Sequence, residues 1–90
     1  MQKISFETSI PYNKELHPVT VYAQANLHRI RESLELTSIM YKGVDVLPIV
    51  NEIHAPGLYI KLWDEAETVA FGLANENGIH TNAKSLQSQF

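Results

Sequence analysis

The sequence predicts an α+β domain: a three-stranded antiparallel β-meander, then a short helix and a longer C-terminal helix packed on one face of the sheet. Three observations carry that prediction. Apolar and polar residues alternate in three segments of the first half, the period of a half-buried strand. The composition then shifts from Val, Ile, Thr, Tyr and Ser to Ala, Leu and Glu. From Leu58 onward, apolar residues recur at helical spacing for about five turns.

In the first strand Ile4, Phe6, Thr8 and Ile10 alternate with Ser5, Glu7 and Ser9. Pro11-Tyr12-Asn13-Lys14 interrupts it, because proline cannot donate to a ladder and asparagine favours turns. The second strand sets Val19, Val21, Ala23, Ala25 and Leu27 against Thr20, Tyr22, Gln24 and Asn26, with Pro18 at its entrance. Residues 28–32 read as a connection. In the third strand Leu34, Leu36 and Met40 alternate with Glu35, Thr37, Ile39 and Tyr41, ending at Lys42-Gly43. Short connections favour adjacent antiparallel pairing. That phase puts Tyr22, Thr37, Ile39 and Tyr41 on the sheet face away from the helices.

Asp45 then stands as a helix N-cap, with Pro48 inside the tolerant first turn, so residues 46–53 read as a short helix ended by Ala55-Pro56-Gly57. The long helix follows the stripe Leu58, Leu62, Ala66, Val69 and Leu73, and Asn77-Gly78 stops it. The expected core is Ile4, Phe6, Val19, Val21, Leu34, Leu36, Leu62, Val69 and Leu73. Residues 1–77 form the single domain in this reading, and 78–90, which show no period, a flexible C-terminal tail.

Composition narrows the function. At 90 residues the chain has room for one domain, and 44% hydrophobic with 19% charged residues excludes wholesale disorder. There is no cysteine, hence no disulfide, Cys-based zinc site or thiol nucleophile. The net charge of −3 comes entirely from residues 46–90 and opposes tight non-specific binding to nucleic acid. No apolar run approaches the ~20 residues of a membrane span, and the start lacks the layout of a signal peptide, so a cytoplasmic location is expected.

No pattern of catalytic chemistry stands out. His17, His28, His54 and His80 lack the spacing that places two ligands on one face, and read as surface or loop residues. Asp64 and Glu65 fall on a solvated helix face and Glu67 on the other side. The four glycines stand alone, so no phosphate loop exists, and no nucleophile elbow appears. The expectation is a non-enzyme with no catalytic, metal or cofactor residues.

Two surfaces remain as candidates. Assigned ~100° per residue, the long helix carries an apolar arc of about 220°, where covering one small sheet takes about 100°. The surplus is Ile60, Trp63 and Phe71, a candidate interface with a second copy or another protein, unless helix 46–53 folds across it. The second candidate is a small patch of Arg29, Arg31 and Lys42 with Tyr22 and Tyr41, the residue types that hold single-stranded nucleic acid.

Lys3-Ile4-Ser5-Phe6-Glu7, Pro18-Val19-Thr20-Val21 and the block Tyr41-Lys42-Gly43-Val44-Asp45-Val46-Leu47-Pro48-Ile49 resemble small uncharacterised proteins encoded by phages and prophages. The resemblance spans most of residues 3–75 and carries no catalytic residue across. It implies the context of an accessory protein rather than a mechanism. The expected function is a non-enzymatic interaction module of phage or prophage origin that binds another protein or a second copy of itself. A nucleic-acid-binding accessory factor is the alternative.

Overall fold

The computed structural model describes residues 1–79 of the chain; of the tail expected over 78–90, everything after Ile79 lies outside the described residues. The chain is α+β, with one antiparallel sheet and a C-terminal helix. The sheet has four strands rather than three: β1 (Gln2–Tyr12), β2 (Glu15–Ala25), β3 (Glu35–Tyr41) and β4 (Val44–Asp45), in the order β1-β2-β3-β4. A helical turn, α1 (Ile30–Ser33), links β2 to β3, and α2 (Pro56–Glu76) lies across one sheet face.

Both hairpins turn on two residues with positive φ. Asn13 and Lys14 (φ 54° and 65°) join Tyr12 to its partner Glu15, and Lys42 and Gly43 (φ 49° and 82°) join Tyr41 to Val44. Two-residue loops of this hand match the twist of paired strands, so each hairpin closes without splaying. The expected interruption at Pro11 does not occur: β1 runs through it to Tyr12. Pro18 is likewise inside β2, opposite Ser9, but beyond the segment that β3 pairs, which begins at Thr20.

The third strand corrects the sequence reading most. Tyr22 pairs with Ser38 and Ala23 with Leu36, so Thr37 is an extra residue in a β-bulge. One added residue reverses the alternation beyond it. Leu36 points to the helix side before the bulge, and Ile39 does so after it, with no exposed surface at all. Ile39 and Tyr41 therefore leave the open face on which simple alternation put them, while Tyr22 and Thr37 stay exposed there.

Residues 46–53 are not a helix. Val50 N–H donates to the Val46 carbonyl at 2.9 Å and Ala55 N–H to Asn51 at 2.9 Å, isolated turns with no continuous ladder. Side chains claim the backbone instead. Asp45 Oδ1 accepts from the N–H groups of Ile39 and Leu47, both at 3.0 Å, and Asn51 Oδ1 from those of Ile53 and His54, both at 2.9 Å. Such local acceptors compete with helix formation, and Pro48 offers no N–H to extend one. Pro56, read as a terminator, instead opens α2 at the position where a missing N–H costs nothing.

The 28–32 connection likewise folds into α1, which buries Ile30 to 2% exposure. Ser33 Oγ donates to the Arg29 carbonyl at 2.6 Å and accepts from the Asn26 N–H at 2.8 Å, holding that turn against the end of β2.

The helix meets the sheet along Leu62, Ala66, Ala70 and Ala74, a four-residue spacing. Three alanines let the helix backbone approach the strands closely, which rotates α2 away from the Leu-and-Val stripe. Val69 and Leu73 are consequently half-buried on one flank, and Phe6 is half-buried beneath them in β1. The other expected core residues are buried. Gly78 (φ 69°) ends α2: its N–H donates to the Asn75 carbonyl at 3.1 Å, and that of Ile79 to Ala74 at 2.8 Å, while Ile79 packs on the core.

Candidate functional site

The two hairpin turns lie at one end of the sheet, with the 46–55 segment and the start of α2 beside them. Of the eight large apolar side chains left exposed among the described residues, Tyr12, Leu16, Val44, Ile49 and Ile53 belong to this end. On the helix side of this end opens a concave pocket of ≈ 470 Å³, which Tyr12 and Ile49 of those five side chains line. Ile10 and Tyr41 come from the strands, Val46 and Val50 from the turn segment, and Leu58 from the first turn of α2. Tyr12 and Ile49, 68% and 66% exposed, stand as its rim.

The sequence opens this pocket for physical reasons. Because 46–53 breaks into turns capped by Asp45 and Asn51, it cannot lay a regular apolar helix face over the sheet. The bulge at Thr37 then turns Tyr41 to the same side. Its polar wall is one aromatic cluster. The His17 ring meets Tyr12 edge-on at 5.9 Å between centroids and Tyr41 at 5.5 Å. His17 Nε2 lies 3.2 Å from the Tyr12 carbonyl, which can only accept, so Nε2 donates. In the neutral ring Nδ1 is then left to accept from the Tyr41 hydroxyl at 3.1 Å. The Glu15 carboxylate stands 3.8 Å from Nε2 and is exposed. Both ring nitrogens are thus engaged in tying three rings together. What remains presented to the opening is mainly carbon.

The residues singled out from sequence are not gathered here, apart from Tyr41 and, in the adjoining turn, Lys42. On α2, Ile60 is 58% exposed. Trp63 is half-buried and donates its indole N–H to the Leu34 carbonyl at 3.3 Å. Phe71 is half-buried with the Arg31 guanidinium 6.0 Å from its ring centre. Cover for Trp63 and Phe71 therefore comes from α1 and the entry to β3.

The five residues of the basic-aromatic patch are distributed over the molecule. Arg31 Nε donates to Glu67 at 3.0 Å, and Arg29 sits 3.6 Å from Glu32, both at the α1 end. Lys42 is in the turn at the opposite end of β3, 5.4 Å from the Tyr41 ring centre. Tyr22 occupies the open sheet face and Tyr41 the helix side. Sequence reasoning missed the pocket because the bulge and the failed helix create it, though Asn51 with Pro48 was a readable signal against a helix.

Among the described residues no group of three or more His, Asp or Glu is placed to hold a metal ion, and no helix is long and apolar enough to cross a membrane. No family model, curated protein or solved structure matches the chain.

Proposed function

We propose that this chain is a non-enzymatic interaction module that docks an apolar segment of another protein in the pocket between the hairpin turns and α2. The observation that supports this reading is one concave site lined by Ile10, Tyr41, Val46, Val50 and Leu58 with the exposed Tyr12 and Ile49 at its rim, whereas the exposed Leu16 and Tyr22 of the open sheet face stand among Lys3, Ser5, Glu7 and Thr37. Apolar rims around apolar pockets mark places where a partner removes surface from water. The occupant has the chemistry of the lining: one or two branched or aromatic side chains on an extended or helical peptide. A role as a phage or prophage accessory protein belongs to the same proposal and rests on the sequence resemblance alone.

Selection of a displayed random-peptide library on the immobilised protein tests the docking reading. Enriched peptides carry branched or aromatic anchors and lose binding to Ile49→Asp, a substitution at an exposed rim position that leaves the core intact. Enriched peptides that bind Ile49→Asp as well as the original protein overturn it.

A further inference from the structure

β1 is an edge strand. Its eleven residues pair with β2 on one side, and no described strand pairs with it on the other. The two-residue loop makes Tyr12 and Glu15 a hydrogen-bonded pair, and such pairs alternate along an antiparallel ladder. The even-numbered residues of β1 therefore bond to β2, and Lys3, Ser5, Glu7 and Ser9 direct their N–H and C=O groups outward. Pro11, which has no N–H, shares that outward parity, where its lack opens no gap. A continuous row of donors and acceptors runs from Lys3 to Ser9.

Edges of this kind are normally guarded by charged side chains, proline, bulges or a covering segment, and Pro11 blunts only the turn end of β1. Here Lys3 and Glu7 carry opposite signs, four residues apart on the exposed face. We propose that β1 pairs antiparallel with β1 of a second copy about a two-fold axis at Ser5, joining two sheets into one. In that register Lys3 faces Glu7 of the second copy, twice over by symmetry, and Ile4 faces Phe6 on the helix side. The strand is thus complementary to itself in charge and in apolar content.

The helix side supplies an independent argument. Thr8 Oγ1 donates to Glu65 Oε1 at 2.6 Å, which fixes the Glu65 flank of α2 above β1. Val69 and Leu73 follow Glu65 at four-residue steps on that flank, and with Phe6 they are the expected core residues left half-buried. A second copy continuing the sheet covers all three. The pairing uses neither the pocket at the turn end nor the Ile60 face of α2.

Sedimentation equilibrium of the full chain over a wide concentration range, with charge reversals, tests this. Lys3→Glu and Glu7→Lys each turn two attractive pairs into two repulsive ones and weaken the dimer on the order of tenfold. The combined Lys3→Glu/Glu7→Lys swap restores the original affinity. The chain has no cysteine of its own, so Ser5→Cys introduces a single thiol. Hydrogen-bonded antiparallel pairs place Cα atoms ~5.5 Å apart, within disulfide reach. Ser5→Cys therefore oxidises rapidly to a covalent dimer, and Thr37→Cys, on the same face away from the edge, does not. A monomer at every concentration overturns the proposal. So does a dimer indifferent to the single reversals or not restored by the swap, or equal oxidation of the two thiols.

Discussion

Leu62 is the one large side chain in the line along which α2 meets the sheet, and it has no exposed surface. Replacing it by alanine removes three carbons, a transfer loss of about 2.4 kcal/mol at ~0.8 kcal/mol per carbon. The cavity adds to this. Its neighbours along the helix are already alanines, and the strands below are held by their ladder, so collapse is limited. Roughly 60 Å³ left unfilled adds about 1.5 kcal/mol at ~24 cal/mol per Å³. A total near 4 kcal/mol is a large part of the ~4–12 kcal/mol expected for a domain of this size. Urea unfolding followed by Trp63 fluorescence measures the loss directly. Thermal melts read it as a fall of about 15–30 °C, at ~4–8 °C per kcal/mol. Ile60→Ala, at an exposed position of the same helix, costs less than about 0.5 kcal/mol. A Leu62→Ala loss below about 1 kcal/mol, or equal losses for the two variants, means that α2 presents a different face to the sheet.

Other consequences are open to measurement. Lys14 holds φ at 65°, a conformation glycine adopts more cheaply, so Lys14→Gly stabilises by up to about 1 kcal/mol in urea unfolding. A loss of stability contradicts the turn geometry. Burial, then the nearby Glu52 and Glu35 carboxylates, raises the Tyr59 hydroxyl above its usual value of 10.0. Above that pH the unfolded chain releases a proton that the folded chain retains, so stability falls as pH rises. Tyr59→Phe flattens that alkaline fall in unfolding series on either side of pH 10, and an unchanged slope places the titration elsewhere. Fluorescence titration with single-stranded and duplex oligonucleotides at low salt gives no saturable binding, because the two arginines and Lys42 lie at opposite ends of β3. Saturable binding that weakens steeply with salt restores the nucleic-acid reading.

The sequence was most readable where local and global signals agree. All five alternating apolar positions of the second strand, Val19 to Leu27, are buried. Asn77-Gly78 marked the end of α2 because Asn-Gly just past the last apolar residue of the stripe is the usual left-handed cap. Misreadings came where a non-local contact or a competing hydrogen bond decides. Nothing in Leu-Thr-Ser-Ile announces a bulge at Thr37; the register against Tyr22 and Ala23 sets it, and with it the placement of Ile39 and Tyr41. Leucine and valine drew the helix face toward Val69 and Leu73, whereas close packing selected the alanine line. The pocket lies downstream of both effects. Its residues come from five separate segments, and Asp45 ties the Ile39 and Leu47 backbones together beside Tyr41 and Val46.

Docking at the turn end is tested most directly by site-specific photocrosslinking in cells. A photoreactive side chain replaces Ile49 at the pocket rim, or Thr20 on the open sheet face as the comparison. The position-49 probe should yield a discrete adduct whose attachment point on the partner maps next to a branched or aromatic residue, and whose yield falls when Tyr12, exposed at the same rim, is replaced by aspartate. The position-20 probe should yield none. Equal adducts from both positions, or attachment at 49 only to polar and scattered sites, contradicts the assignment of function to this pocket.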